Sequence, residues 1–320
     1  MTRILLHAAD PALLIPSVQA AAPDATVIGC DSYAALPGTM ADLAPDIVFT
    51  IRFAGTPGFP AAALTGAGGP GWISVGGSGV DHLGTWDAAR TVVTNAAGVG
   101  ADQMAEYVIG AALHFRLDVP GLIADRAAQH WRRDRVMRPL RGGVALIIGL
   151  GRTGQAVADR ARAMGMQVIG VRNTPAPMDG IATVHPPSEL PALWPLADLV
   201  VVCTPLTPAT RGLIGKGAIA AMKRDAVIVD VSRGGVIDGQ ALAAALKAGH
   251  LAGAALDVFE TEPLPPGHPL WTAPRTLISP HCSSVFDGWE LATIAMFCDN
   301  LRRHQRGEPL TNIVQPSRGY

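Results

Sequence analysis

The chain has 320 residues, 49% of them hydrophobic, and a formal net charge of −1. That length accommodates two domains with full cores, and a near-neutral balance without a basic excess argues against a nucleic-acid-binding role. No apolar run reaches membrane-spanning length without Gly, Pro or charge, so a soluble protein with no membrane partner is expected.

The opening "MTRILLHAAD" turns polar after a short apolar core and reads as a first strand, not a secretory signal. "RILLHA", "DIVFTI", "GWISVGG" and "TVVTNA" follow as β-branched runs and predict strands. "ADQMAEYVIGAALHFRLDVPGLIADRAAQHW" then predicts a long helical region interrupted near Pro120. After Gly142 come "VALIIG", "QVIGV", "LVVVCTP", "AVIVDVS", "LAGAALDV" and "TLISP", near-continuous apolar runs with helices between most of them. Runs of this kind fit strands buried on both faces, hence a parallel sheet covered by helices. The last helical segment, "WELATIAMFCDNLRRHQRGEPL", is expected to cross back onto the first domain. The layout predicted is α/β, a cofactor domain at residues 98–287 inserted into a discontinuous substrate domain at 1–97 and 288–320. The four cysteines, Cys30, Cys203, Cys282 and Cys298, lack CxxC or zinc-finger spacing. No metal site is expected from them, and a reducing, cytoplasmic setting fits best.

Gly149, Leu150, Gly151, Arg152, Thr153 and Gly154 form a GxGxxG run between a predicted strand and a predicted helix. In such a run the first Gly permits a tight turn, the second lets backbone approach a pyrophosphate, and the third lets helix pack on strand. The diphosphate is expected on the free N–H groups of the helix start. The next strand ends at Val171, where a ribose-binding acid would stand in an NAD site; the residue there is Arg172, followed by Asn173 and Thr174. A guanidinium forks onto phosphate oxygens, so NADP(H) is expected in preference to NAD(H). A charge-assisted bond contributes roughly 1.5–3 kcal/mol, up to about a hundredfold in affinity. The alternative is a solvent-facing arginine stacked on adenine, with NAD(H) still accepted.

Three later pieces carry chemistry. "VIVDVSRGGVIDGQAL" ends a strand at Ser232 and puts Arg233 at its carboxyl end, where open α/β sheets bind ligands; the competing role is an ion pair with a surface acid. "ALDVFETEPLPPGHPLW" ends a strand at Asp257 and sets Glu262 in a Pro-rich loop, where ordinary solvation is the simpler reading. "TLISPHCSS" places His281 directly after a strand, although a lone histidine is more often structural. In the first half, Gly77, Ser78 and Gly79 in "VGGSGVDHLG" form either a plain turn or a small nest of N–H groups for a carboxylate. Arg52 and Phe53 end a neighbouring strand.

Taken in order, "GLGRTG", "PLTPATRGLIG", "VSRGGVIDGQAL", "LDVFETEPLP" and "SPHCSS" resemble the D-isomer-specific, NAD(P)-dependent 2-hydroxyacid dehydrogenases, glyoxylate/hydroxypyruvate reductase-like members included. The likeness runs from "VGGSGVDHLG" to "NLRRHQRGEPLTNIV". It implies two Rossmann-like doubly wound domains, the substrate domain flavodoxin-like, a homodimer, and a small 2-keto or D-2-hydroxy acid as substrate. It also implies roles: His281 as general acid in reduction, Glu262 as its hydrogen-bond partner, and Arg233 on the substrate carboxylate and carbonyl. Asp257 would contact the nicotinamide carboxamide, Thr204, Pro205 and Ser232 the cofactor, and Arg52 with the Gly77–Gly79 loop the substrate. The chain departs from the family at Arg172, at Asp230 where Asn is frequent, and at Cys282-Ser283-Ser284 after His281. A formate dehydrogenase shares the architecture, but Pro280 stands where its Gln is expected. A nucleotide-sensing corepressor on the same fold is the alternative from another class.

Overall fold

A computed structural model describes residues 1–53 and 56–316. The chain divides into two units, Met1–Val99 with Phe286–Tyr320, and Gly100–Val285. Residues 317–320, the end of the expected substrate domain, lie outside the described residues.

In the first unit the apolar runs become β1 (Arg3–His7), β3 (Ile47–Thr50), β4 (Trp72–Val75) and β5 (Val92–Asn95), joined by α1 (Pro11–Ala21), β2 (Thr26–Cys30), α2 (Leu36–Leu43) and α3 (Ala61–Thr65). All strands are parallel, in the order β2-β1-β3-β4-β5, which is the flavodoxin-like doubly wound order. Strand β2 carries no strong apolar signal because it is an edge strand, and of its residues only Cys30 is buried. Asp10 starts α1 by accepting the Leu13 N–H, and Pro11 follows at the first helical position, where its missing donor costs nothing.

The second unit begins with α4 (Ala101–Arg116) and α5 (Val119–Ala127). The break between them falls at Leu117–Asp118. Asp118 adopts φ 52° there, and Pro120 sits in the first turn of α5 instead of interrupting a helix. Next come β6 (Val144–Ile148), α6 (Arg152–Ala163), β7 (Gln167–Val171), β8 (Thr183–His185), α7 (Leu190–Leu193) and β9 (Leu199–Val202). The unit closes with α8 (Lys216–Ala221), β10 (Val227–Asp230), α9 (Gly239–Lys247), β11 (Gly253–Leu256) and β12 (Thr276–Ile278). These strands are parallel in the order β12-β11-β10-β9-β6-β7-β8. Successive residues point to opposite faces of a strand: Ile147, Val201 and Val229 pack under α4 and α6, while Leu146, Val200 and Ile228 pack under α9 with Leu242 and Leu246. Both faces are therefore dry, which is why the strand sequences lack polar alternation.

The final helix, α10 (Trp289–Gln305), belongs to the first unit. Its Ile294, Phe297 and Leu301 share a core with Leu14 and Val18 of α1, and Trp289 packs at the edge of that cluster. Among the described residues no single helix is long and apolar enough to cross a membrane.

Candidate active site

Strand order reverses between β6 and β9, the place where open α/β sheets leave a crevice at the carboxyl edge. Gly149 leaves β6 at φ 97°, and a Cβ there would lie 2.6 Å from the Cys203 carbonyl oxygen and 2.9 Å from the Thr204 nitrogen. The Thr204-Pro205 loop thus borders the glycine turn. A Cβ on Gly154 would strike the Gly149 carbonyl, so only glycine lets α6 start this close to the strand. In front of Gly151 an added Cβ would meet nothing within 4 Å, and no side chain caps the helix start. Open space before an uncapped 12-residue helix could hold a diphosphate. Leu150 turns inward and is buried, Arg152 is exposed and Thr153 half-buried.

Arg172 follows β7 beside this turn, since the Gly149 N–H donates to the Val171 carbonyl at 2.9 Å. Arg172, Asn173 and Thr174 are all exposed. Among the described residues no carboxylate pairs with the Arg172 guanidinium, whose Nη1 meets the Met178 sulfur at 3.6 Å.

The three candidate reacting groups, Arg233, Glu262 and His281, stand on the loops after three adjacent strands, β10, β11 and β12. His281 and Glu262 meet directly, Nδ1 to Oε2 at 2.8 Å, with side chains 39% and 31% exposed. The other Glu262 oxygen accepts the Phe259 N–H at 3.0 Å. With Nδ1 engaged, the imidazole has Nε2 left for a reacting oxygen. Arg233 is half-buried, and its Nη1 donates to the Ser232 carbonyl at 2.7 Å. Gly234 packs so tightly on the Phe259 carbonyl that a Cβ would overlap it, which joins the Arg233 loop to the Glu262 loop.

Asp257, 1% exposed, holds the His281 loop. Its carboxylate accepts from the Ser279 hydroxyl at 2.6 Å and from the N–H groups of Cys282 and Ser283 at 2.9 and 3.0 Å. Its carbonyl accepts the His281 N–H at 2.9 Å. One of these partners, Ser279, carries no signal of this role in the sequence, because its contact becomes visible only when β11 and β12 lie side by side.

Asp230 ends β10 and is 2% exposed, with Oδ1 accepting the Ser232 N–H at 2.9 Å and hydroxyl at 2.5 Å. Burial pushes its pKa up to about 7, against the pull of the two Ser232 hydrogen bonds. A carboxyl whose folded pKa is raised costs stability as pH climbs from its ordinary value of 3.8 through about 7. Asp230→Asn keeps an acceptor without the charge. Its stability advantage in urea unfolding is expected to be absent near pH 4, to grow toward pH 7, and to level off above it at roughly a few kcal/mol. A pH-independent difference would contradict this.

In the first unit, Arg52 is exposed after β3, and the Phe53 N–H donates to the Tyr33 hydroxyl at 2.7 Å. The Ser78 and Gly77 carbonyls are held by the Asn95 side chain and the Ala96 N–H. Among the described residues, the N–H groups of Gly77, Ser78 and Gly79 have no protein acceptor.

The family description "D-isomer specific 2-hydroxyacid dehydrogenase, NAD binding domain" matches residues 109–283. The D-3-phosphoglycerate dehydrogenase of Methanocaldococcus jannaschii is 36% identical over 249 residues, covering 76% of this chain and 47% of that protein. The chain thus spans about half the length of that relative. A D-isomer-specific 2-hydroxyacid dehydrogenase from Xanthobacter autotrophicus Py2, solved with NADPH and MES, superposes with a TM-score of 0.83 at 30% identity, covering 100% of this chain and 99% of that one. The NADPH-dependent glyoxylate/hydroxypyruvate reductase of Sinorhizobium meliloti, solved with NADP and sulfate, gives 0.85 at 25% identity with both chains covered in full. A glycine cradle at the switch point, an imidazole–carboxylate pair on neighbouring strand ends and these likenesses agree: the chain belongs to the D-isomer-specific 2-hydroxyacid dehydrogenase family.

Proposed function

We propose that this protein is an oxidoreductase that reduces a small 2-keto acid to the D-2-hydroxy acid, using NADPH in preference to NADH. The observation that carries the reading is the 2.8 Å pair of His281 and Glu262, whose loop packs on that of Arg233 through Gly234 and Phe259, at the carboxyl edge of a sheet whose glycine turn fits a dinucleotide. When bound, the nicotinamide supplies the hydride. Gly149, Gly151 and the N–H groups of Arg152, Thr153 and Gly154 receive the diphosphate, while Thr204, Pro205, Ser232 and Asp257 border the nicotinamide half. Arg172, with Asn173 and Thr174, takes the ribose 2′-phosphate.

Arg233 binds the substrate carboxylate and steadies negative charge on the carbonyl oxygen as it develops. His281 delivers its Nε2 proton to that oxygen; in the reverse direction it removes it. The Glu262 carboxylate accepts from Nδ1 and fixes the ring, leaving Nε2 for the substrate oxygen.

A panel of 2-keto acids, glyoxylate and hydroxypyruvate included, assayed with NADPH and NADH tests this reading. Turnover of at least one acid is expected, faster with NADPH; no turnover with any acid and either cofactor overturns it. We also propose a homodimer. Helix α5 buries no residue within its own chain and leaves Leu122 and Ile123 exposed, as are Trp131, Val136 and Met137 just beyond it. A solution mass near 33.2 kDa, that of one chain, would rule the dimer out.

A further inference from the structure

Helix α4 sends one polar side chain toward the loop that carries His281. The Tyr107 hydroxyl lies 2.8 Å from the Ser279 hydroxyl, 172 residues away in sequence. Ser279 gives its only hydrogen to Asp257 at 2.6 Å, so the phenol must be the donor in the first contact. The chain of donation therefore runs from Tyr107 to Ser279 to the buried Asp257 carboxylate. Burial pushes the Tyr107 hydroxyl up to about 12, so it keeps its proton to donate across the neutral range.

Asp257 grips the chain on both sides of His281, at Ser279 before it and at Cys282 and Ser283 after it. His281 itself stands at φ 54°, a left-handed conformation that a non-glycine residue holds only when its surroundings enforce it. A residue with this strain and an exposed ring depends on its flanks for direction.

We propose that Tyr107 is a positioning residue for His281, acting in series through the Ser279 hydroxyl and the Asp257 carboxylate. The proposal rests on the reading of His281 as the proton donor, and two kinds of measurement separate the fates of the two ideas. In the first, Tyr107→Phe and Ser279→Ala are each expected to lower kcat about tenfold, the worth of roughly one hydrogen bond. Because the hydroxyls act in series, the double variant is also expected to lose about tenfold, not about a hundredfold. Affinity for NADPH should stay within about threefold, and Ser279→Thr, which keeps the hydroxyl, should retain activity. Unchanged kcat in Tyr107→Phe, or a multiplicative loss in the double variant, overturns the proposal.

The second measurement needs no turnover: hydrogen exchange of the Cys282 and Ser283 amides, read by NMR. Both should exchange faster in Tyr107→Phe than in the parent protein. If the parent reduces no keto acid, the functional reading falls, and unchanged exchange in this variant overturns the positioning role separately.

Discussion

His281→Ala is expected to lower kcat for keto-acid reduction by roughly 10²–10⁴-fold, the usual contribution of a positioned general acid, while the apparent affinity for NADPH is retained. The geometry explains both halves of this outcome. Glu262 holds Nδ1 at 2.8 Å, so the proton lost with the ring is the one aimed away from the carboxylate. The diphosphate cradle proposed on the loops after β6 and β9 stands several strands from β12, so truncating the imidazole leaves that part of the cofactor site in place. Arg233→Ala is expected to be as damaging, with the loss shared between keto-acid KM and kcat, because in the proposed role one guanidinium both binds the acid and stabilises charge on its carbonyl. Arg233→Lys should recover little, since an ammonium cannot reproduce the planar fork. Steady-state kinetics with a fluorescence titration of NADPH checks all three variants. Turnover near that of the parent in both His281→Ala and Arg233→Ala would remove the proposed roles, whatever the fold.

The second large effect concerns the cofactor. Arg172→Asp should lower kcat/KM for NADPH by about ten- to a hundredfold, as expected for loss of a charge-assisted bond to phosphate and gain of a repelling charge. It should leave kcat/KM for NADH equal or improved, because a carboxylate accepts hydrogen bonds from both ribose hydroxyls. Arg172 is exposed, without a carboxylate partner among the described residues, and sits one residue past β7 beside the Gly149 turn. A guanidinium so placed is available to an anion and contributes little to the core. Equal use of the two cofactors by the parent protein would end the preference and leave the adenine-stacking alternative.

How much of this was legible beforehand varies with the range of the interaction involved. The six apolar runs after Gly142 announced β6, β7 and β9 to β12; for β6, β7 and β9 to β11 the reason is that a strand dry on both faces must be apolar, while β12 is a half-buried edge strand. Strand β8 and edge strand β2 escaped, since a half-exposed strand of three to five residues carries no such demand. Asp238 caps α9 by accepting the Gln240 and Ala241 N–H groups at 3.0 Å, a contact between residues two and three apart in the chain.

The sequence by itself determined that this is an α/β chain, where its glycine turn falls, and that a cation ends the second strand of the cofactor fold; each is a local matter of backbone freedom, periodicity or residue type. It also offered Arg233, Glu262 and His281, but only as members of ordered motifs. The contact of His281 with Glu262 was implied by the resemblance and takes its 2.8 Å geometry from the fold, whereas that Gly234 presses on Phe259 and that Tyr107 reaches Ser279 were decided by the tertiary structure alone. Parallel strands can become neighbours only through crossovers that separate them widely along the chain, so side chains that meet at their carboxyl ends share no local signal.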